Sequence, residues 1–386
     1  MIGKLNQSDP LDEWLGFIDQ ITLDEIELGL DRVHQVYKNL KIKQSFPIVM
    51  VGGTNGKGST CAFLESIYHN GGYKVASYSS PHFFKFNERI RVNKTPCSDQ
   101  VIVDALFRID KARENIPLTY FEMTTLAAML IFVENDIDIA IMEVGLGGRL
   151  DAVNVFDPEV SIITSISLDH QEFLGNSIEK IFKEKIGIFR KNKNAILNFS
   201  CQEAFIKTFK DTSRAIISEI NSDYFIRVDG LKINFFGKIK NFLDLPLPKL
   251  YGKTQLQNLS GALRVVELLS DNYPVTQSIL NEGIKQTNII GRLHCINKNP
   301  FIILDVAHNK ESAESLSKFF RKQKLNGKVR CVFSLLKDKN IIDITEQFID
   351  YVDEWYISEI DSPRALKTTE IISSLMQQKK DVTFHS

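Results

Sequence analysis

The chain has 386 residues, with 47 Lys plus Arg against 48 Asp plus Glu, 43% hydrophobic residues and 25% charged ones. At roughly 100 to 200 residues per domain this length predicts two or three domains, and the ordinary composition excludes a disordered or collagen-like chain. The near cancellation of charge excludes a global field that would recruit nucleic acid or anionic lipid, so any anionic ligand must be held locally.

The longest apolar run, Leu126 to Val133, falls far short of the roughly 18 to 20 residues that a membrane-spanning helix needs. Met1 to Ser8 lacks the apolar core of a secretory signal, and Asp9, Asp12 and Glu13 follow at once. The five cysteines (Cys61, Cys97, Cys201, Cys295 and Cys331) are widely spaced, with no C-x-x-C pair, and read as small hydrophobes in a reducing compartment. A cytoplasmic protein with neither membrane nor nucleic-acid partner is expected.

In chain order, the run Ile48 to Val51 leads into glycines and reads as a strand buried on both faces, as do Ile137 to Val144 and Val160 to Ile166. Between them the pattern predicts a helix from near Ser59 to Gly71-Gly72 and a second from Thr124 to Asn135, apolar nearly all round. Strands alternating with helices predict an α/β fold with a mostly parallel sheet. The segment from Lys191 to Leu250 is less regular, and a helical stretch begins near Gln255. After a boundary at Asn288 to Gly291, Phe301 to Leu304, Val329 to Phe333 and Trp355 to Ile357 read as strands, with a helix over Glu311 to Lys324. The expected organisation is therefore a phosphate-loop domain over 1–290 and a smaller Rossmann-like α/β domain over 291–386.

The first strand runs into Gly53-Thr54-Asn55-Gly56-Lys57-Gly58-Ser59-Thr60. Glycines let backbone N–H groups approach a polyphosphate, the following helix adds partial positive charge, and a lysine there reaches the β- and γ-phosphates. The ordinary G-x-x-x-x-G-K-[ST] spelling is not met, because Val51 stands at its first glycine and Gly58 at its hydroxyl position. Glu143 ends an apolar strand, where ligands bind in open parallel sheets, and its carboxylate suits Mg²⁺; a partly solvated strand-end Glu is the plain alternative. His170, on its own, reads as a loop histidine, and Lys185, beside Lys183 and Glu184, as one charge on a solvated helix face. Asp305 closes a strand ahead of His308-Asn309, a place suited to phosphate and ribose contacts.

The variant loop, together with Ser79-Ser80-Pro81-His82, Glu88-Arg89-Ile90, Leu118 to Glu122, Glu143 to Ala152, Leu168-Asp169-His170, Glu184 to Phe189, Gly291-Arg292 and Asp305 to Asn309, closely resembles the folylpolyglutamate synthase and dihydrofolate synthase branch of the Mur ligase superfamily. The resemblance implies ATP-dependent, Mg²⁺-dependent ligation of L-glutamate to 7,8-dihydropteroate and to reduced folates through an acyl phosphate. It implies ATP contacts by Thr54, Asn55, Gly56, Lys57, Gly58, Ser59, Asn258, Arg292, Asp305 and His308. Ser80, Glu143 and His170 would hold Mg²⁺, a carbamylated Lys185 would ligate a second Mg²⁺ or form a hydrogen-bonding bridge in the site, and Lys57, His170 and Lys185 would be catalytic. The pterin or folate would lie on Thr119, Tyr120, Phe121, Glu122, Leu150, Asp151 and Ala152, where an aromatic ring stacks and a carboxylate accepts from ring nitrogens.

Leu259 and Lys310 depart from the family's usual Ala and Pro. The chain also ends about 30 residues before the expected close of a βαβ-scale unit, so a shortened second domain is expected. A cell-wall Mur ligase is disfavoured, since too few residues precede Phe46 for a UDP-binding domain. Folylpolyglutamate synthesis alone, or a nucleotide-binding scaffold that has lost catalysis, are the remaining alternatives. A monomer is expected.

Overall fold

The computed structural model describes residues 5–21, 28–201, 214–249, 252–323, 327–378 and 383–385. Packing divides the chain into two units, one of Met1–Lys249 with Gln255–Ile289 and one of Leu250–Thr254 with Ile290–Ser386. No helix among the described residues is long and apolar enough to cross a membrane.

The first unit is built on an eight-stranded sheet of order β4-β3-β2-β5-β1-β6-β7-β8. Its strands are β1 (Ile48–Gly52), β2 (Val75–Tyr78), β3 (Ile90–Val92), β4 (Thr95–Pro96), β5 (Ile139–Glu143), β6 (Val160–Ile163), β7 (Asn194–Leu197) and β8 (Ile216–Glu219). Only β3 and β4 run antiparallel to their neighbours. Every residue of β1, β2, β5 and β6 is buried, which is why these strands are continuous apolar runs rather than alternating ones. Because β1 lies between β5 and β6, the chain leaves β1 at the point where successive connections diverge, the crevice in which open α/β sheets bind ligands.

Helices α1 (Leu11–Ile21), α2 (Asp31–Leu40), α3 (Lys57–Asn70), α4 (Asp99–Arg113) and α5 (Tyr120–Glu134) supply the rest of the core. Trp14 of α1 meets Phe107 of α4 edge-on at 6.3 Å. Helix α5 starts four residues before the expected Thr124. Thr119 Oγ1 accepts from the Glu122 amide (3.2 Å) and the Glu122 carboxylate accepts from the Thr119 amide (2.7 Å), so two of the helix's unpaired donors are satisfied reciprocally.

The described residues of the less regular stretch from Lys191 to Leu250 extend the main sheet through β7 and β8 and then fold into a three-stranded antiparallel sheet. This sheet consists of β9 (Phe225–Asp229), β10 (Lys232–Phe236) and β11 (Phe242–Pro246). Gly230, at φ +58°, makes the turn between β9 and β10, and Leu231 at its tip is 83% exposed. The sheet is fastened from below by Glu267 of the helix Lys253–Leu268. The Glu267 carboxylate accepts from the amides of Ile239 (2.5 Å) and Lys240 (2.7 Å) and pairs with Arg264 at 2.5 Å.

The second unit holds a parallel sheet of β14 (Arg330–Phe333), β15 (Glu354–Ile357) and β16 (Thr383–His385), with helices Lys310–Phe320, Ile341–Thr345 and Thr368–Gln378. Trp355, Ile357, Ile371, Leu375 and Ala313 form its core. The strand β13 (Phe301–Leu304) pairs antiparallel with β12 (His294–Lys298) as a separate two-stranded sheet. The last residue of the expected helix over Glu311 to Lys324 lies outside the described residues.

Candidate active site

The phosphate loop leaves β1 at Gly52 and enters α3 at Lys57. Gly56, at φ +89°, takes the left-handed conformation that starts the helix, and a Cβ there would sit 2.4 Å from Oδ1 of Asn258. Asn258 is therefore packed directly on the loop, held by an Asn258 Nδ2 to Gln255 Oε1 hydrogen bond of 3.3 Å. Lys57 Nζ folds back to donate to the carbonyls of Gly53 (3.1 Å) and Thr54 (3.2 Å). The backbone amides of Thr54 and Asn55 are already used inside the protein, by Ser165 O and Ser165 Oγ, each at 2.9 Å. Anion donors thus begin with the unpaired N–H groups at the start of α3, which includes Gly58 and Ser59.

Glu143, 5% exposed at the end of β5, accepts from the Ser80 amide at 3.4 Å, and its Oε2 lies 3.7 Å from where a Gly58 Cβ would stand. The Ser59 hydroxyl is buried with no hydrogen-bond partner in the structure. One buried carboxylate and an unsatisfied hydroxyl beside a phosphate loop suit Mg²⁺, which keeps water and substrate phosphate in its shell rather than an all-protein cage. Among the described residues, no group of three or more His, Cys, Asp or Glu is placed to hold a metal ion. His170, in the left-handed conformation at φ +47°, opens the short helix α6 (Gln171–Leu174) beside Asp169, whose Oδ1 accepts from its amide at 2.9 Å.

Lys185 ends α7 (Ile178–Lys185), and it is 4% exposed, not solvated. It stands four residues after Ile181 and three after Phe182, on the buried stripe of the helix, and that spacing is the signal its charged neighbours Lys183 and Glu184 mask. Burial, reinforced by the charge of Lys57 and opposed by Asp169 and Asp151, lowers its pKa to about 7.

Asp151 is also buried, and desolvation raises its pKa to about 6 against the lowering effect of backbone N–H donors and Lys57. Its oxygens accept from the amides of Leu146 (2.8 Å) and Val153 (3.0 Å), so it clasps the loop after β5 and caps the turn Ala152–Val155. Leu150 lies just before it in that loop. Tyr120 and Phe121, half-buried at the start of α5, face other rings: Tyr120 meets Phe86 edge-on at 6.0 Å with Arg89 5.6 Å from its centre, and Phe121 lies 5.8 Å from Tyr78. Thr119 and Glu122 spend their polar atoms on the helix cap, and Glu122 also receives Arg32 at 3.2 Å.

In the second unit, Asp305 Oδ2 accepts from the Leu293 amide (2.7 Å) and Oδ1 from the Ala307 amide (2.8 Å). Desolvation raises its pKa, while those amides, Arg292 and His308 lower it. His308 Nδ1 lies 2.8 Å from the Val306 carbonyl, which only accepts, so Nδ1 is the donor in that bond. Sequence reasoning missed Thr164, Ser165 and Ser167, which line the phosphate loop; Arg89, seen there within a motif but given no role, donates from Nε to His82 Nδ1 at 2.8 Å.

Family models for the Mur ligase middle domain and for the Mur ligase glutamate ligase domain match residues 51–266 and 291–386. The chain is 38% identical to the dihydrofolate synthase/folylpolyglutamate synthase of Buchnera aphidicola subsp. Baizongia pistaciae over 98% of its length and 88% of the relative's. It is 34% identical to the Escherichia coli protein of the same name, over 95% and 86% of the two chains. Among solved structures, E. coli FolC in complex with DHPP and ADP is similar with a TM-score of 0.92 at 34% identity, covering 99% of this chain and 90% of that one. The bifunctional folylpolyglutamate synthase/dihydrofolate synthase with Mn, AMPPNP and L-glutamate bound is similar with a TM-score of 0.90 at 33% identity, covering 100% and 91%. By fold, by loop geometry and by these likenesses, the chain belongs to the Mur ligase family, in its dihydrofolate synthase/folylpolyglutamate synthase branch.

Proposed function

We propose that this protein is an ATP-dependent ligase that joins L-glutamate to 7,8-dihydropteroate, giving dihydrofolate, and to reduced folates, lengthening their glutamate tail. The observation that carries the reading is the convergence of the phosphate loop, the buried Glu143 and the near-neutral Lys185 at the C-terminal edge of one parallel sheet. In the first step a substrate carboxylate oxygen attacks the γ-phosphorus of ATP, and ADP leaves. In the second the free amine of glutamate attacks the acyl carbon, and phosphate leaves with the C–O bond that breaks.

Lys57 turns from its loop carbonyls to the phosphates, with the amides from Gly56 to Ser59 around them and Asn258 alongside; Thr54 and Asn55 hold the loop's shape. Nucleotide contact is assigned also to Arg292, Asp305 and His308. Ser80, Glu143 and His170 would hold Mg²⁺, and two ions are assigned, which when bound neutralise charge on the transferring phosphoryl group. The neutral amine of Lys185 adds to CO₂ and releases a proton, turning a cation into a carbamate anion; its lowered pKa supports this. Tyr120 and Phe121 offer faces to the pterin, Leu150 and Ala152 flank it, Asp151 accepts from its edge, and Thr119 and Glu122 set the start of α5 that carries the aromatic pair.

Residues 1–290 carry ATP and pterin, and 291–386 form the glutamate ligase domain. Free cysteines at all five positions fit action in the cytoplasm, as a monomer. Mass spectrometry of products formed from ATP, glutamate and either 7,8-dihydropteroate or tetrahydrofolate tests the reading. A mass gain of one glutamate on each acceptor is expected, and no gain on either overturns it.

A further inference from the structure

We propose that Thr164 and Ser165, just past the end of β6, are positioning residues that hold the phosphate loop in its nucleotide-ready shape; the role rests on the ATP site assigned above. Thr164 is 1% exposed. Its Oγ1 lies 2.6 Å from the Asn55 carbonyl and 3.1 Å from that of Gly52, so its single proton is offered to the two ends of the turn. Ser165 Oγ accepts from the Asn55 amide at 2.9 Å and donates to the Asn55 carbonyl at 3.0 Å, closing on the peptide groups at either side of that residue. The Ser165 carbonyl takes the Thr54 amide at 2.9 Å, and Thr54 Oγ1 is matched by the Ser167 amide at 3.1 Å.

The backbone amides of Thr54 and Asn55 and the carbonyl of Asn55 thereby face Thr164 and Ser165. Gly53 is required for the approach, since a Cβ there would sit 2.0 Å from Thr164 Oγ1. A Gly-rich loop is entropically free on its own, and ordering it at the moment of binding would be subtracted from affinity. The clasp removes that cost in advance. It also fixes which amides remain for phosphate, those from Gly56 onward. Asp169 and His170 follow four and five residues after Ser165 in the same segment, so the clasp ties the loop's position to theirs.

The test uses the full chain with Thr164→Val, which keeps the shape and removes the hydroxyl, Thr164→Ser, which keeps the hydroxyl, and Ser165→Ala. The readouts are Kd for a fluorescent N-methylanthraniloyl ADP with Mg²⁺, KM for ATP and for glutamate, and Tm. Thr164→Val and Ser165→Ala are each expected to weaken the ADP analogue and raise the ATP KM about tenfold, the loss of one well-placed buried hydrogen bond. The glutamate KM stays unchanged, and Thr164→Ser stays within about threefold of wild type. Unchanged ADP affinity in both deletions overturns the proposal. So does Thr164→Ser as weak as Thr164→Val, or an equal rise in both KM values with a lowered Tm, which would mark general loosening. Should Thr164→Val not fold, Ser165→Ala decides. A wild type that makes no folate product while the variants lose ADP affinity in this pattern removes the ligase reading and leaves the clasp standing.

Discussion

Lys57 lies close enough to Lys185 that its ammonium is, after burial itself, the largest influence holding the Lys185 amine near neutrality, with Asp169 and Asp151 pulling the other way. A cation whose job is to meet phosphate thus also prepares a second lysine to lose its proton.

Carbamate formation should follow from that pairing. At fixed CO₂ pressure, ¹³C NMR of protein equilibrated with ¹³CO₂ should show a carbamate signal that grows as pH rises through about 7 and is lost in Lys185→Ala. Removing the neighbouring charge in Lys57→Met raises the Lys185 pKa, so the midpoint should move to higher pH. A midpoint that stays in place would break the link between the two residues.

Ligation should be lost in Lys57→Ala with the fold retained, because a half-buried loop lysine contributes little packing. Taking a cationic donor away from the transferring phosphoryl group is expected to lower kcat by about 10²- to 10³-fold or more. Phosphate release and circular dichroism on the same sample check both halves, and near wild-type turnover would remove Lys57 from the chemistry.

Asp151 should leave a signature in the pH dependence of stability. Its folded pKa of about 6 stands above the ordinary 3.8, so its contribution is fully present below about 4 and is lost as pH rises through about 6. Wild type minus Asp151→Asn, measured by urea unfolding, should therefore fall by about 2 to 3 kcal/mol between pH 4 and pH 6.5. A flat difference would mean that the buried carboxyl titrates normally. The same variant should impair dihydropteroate ligation more than tetrahydrofolate extension, read by initial rates on the two acceptors.

Glu122 should matter to stability more than to catalysis by direct contact. Its carboxylate is spent on the Thr119 amide and on Arg32, so Glu122→Ala loses a helix cap and a largely buried ion pair together. An unfolding free energy lower by about 2 to 4 kcal/mol is expected. Arg32→Ala in the Glu122→Ala background should cost less than in wild type, a coupling that a double-mutant cycle measures.

The strands β1, β5 and β6 were legible because burial on both faces demands unbroken apolar runs, and the loop after β1 because its glycines and lysine have one evident use. The start of α5 was not taken from the sequence, although Thr119-x-x-Glu122 is a capping signature, because those residues were read through the pterin they were expected to touch. The strands β9 and β10 are joined by a two-residue Gly230-Leu231 turn with glycine at its first position, a hairpin signal lost among the charged residues around it. Lys185 shows the limit of local reading. Its neighbours in sequence are polar, and only helical spacing from Ile181 and Phe182, together with what packs over that stripe, puts an amine where water is scarce. Thr164 and Ser165 look like the fading end of a strand, and their work becomes visible only when residues more than a hundred positions earlier are seen against them.

The turn between β9 and β10 offers a handle on the molecule. Leu231 projects from a sheet whose far end is stapled by Glu267 to a buried arginine, so material added at the tip bears on nothing that the staple holds. A short biotin-acceptor peptide inserted between Gly230 and Leu231 would tether the protein to a surface through that turn.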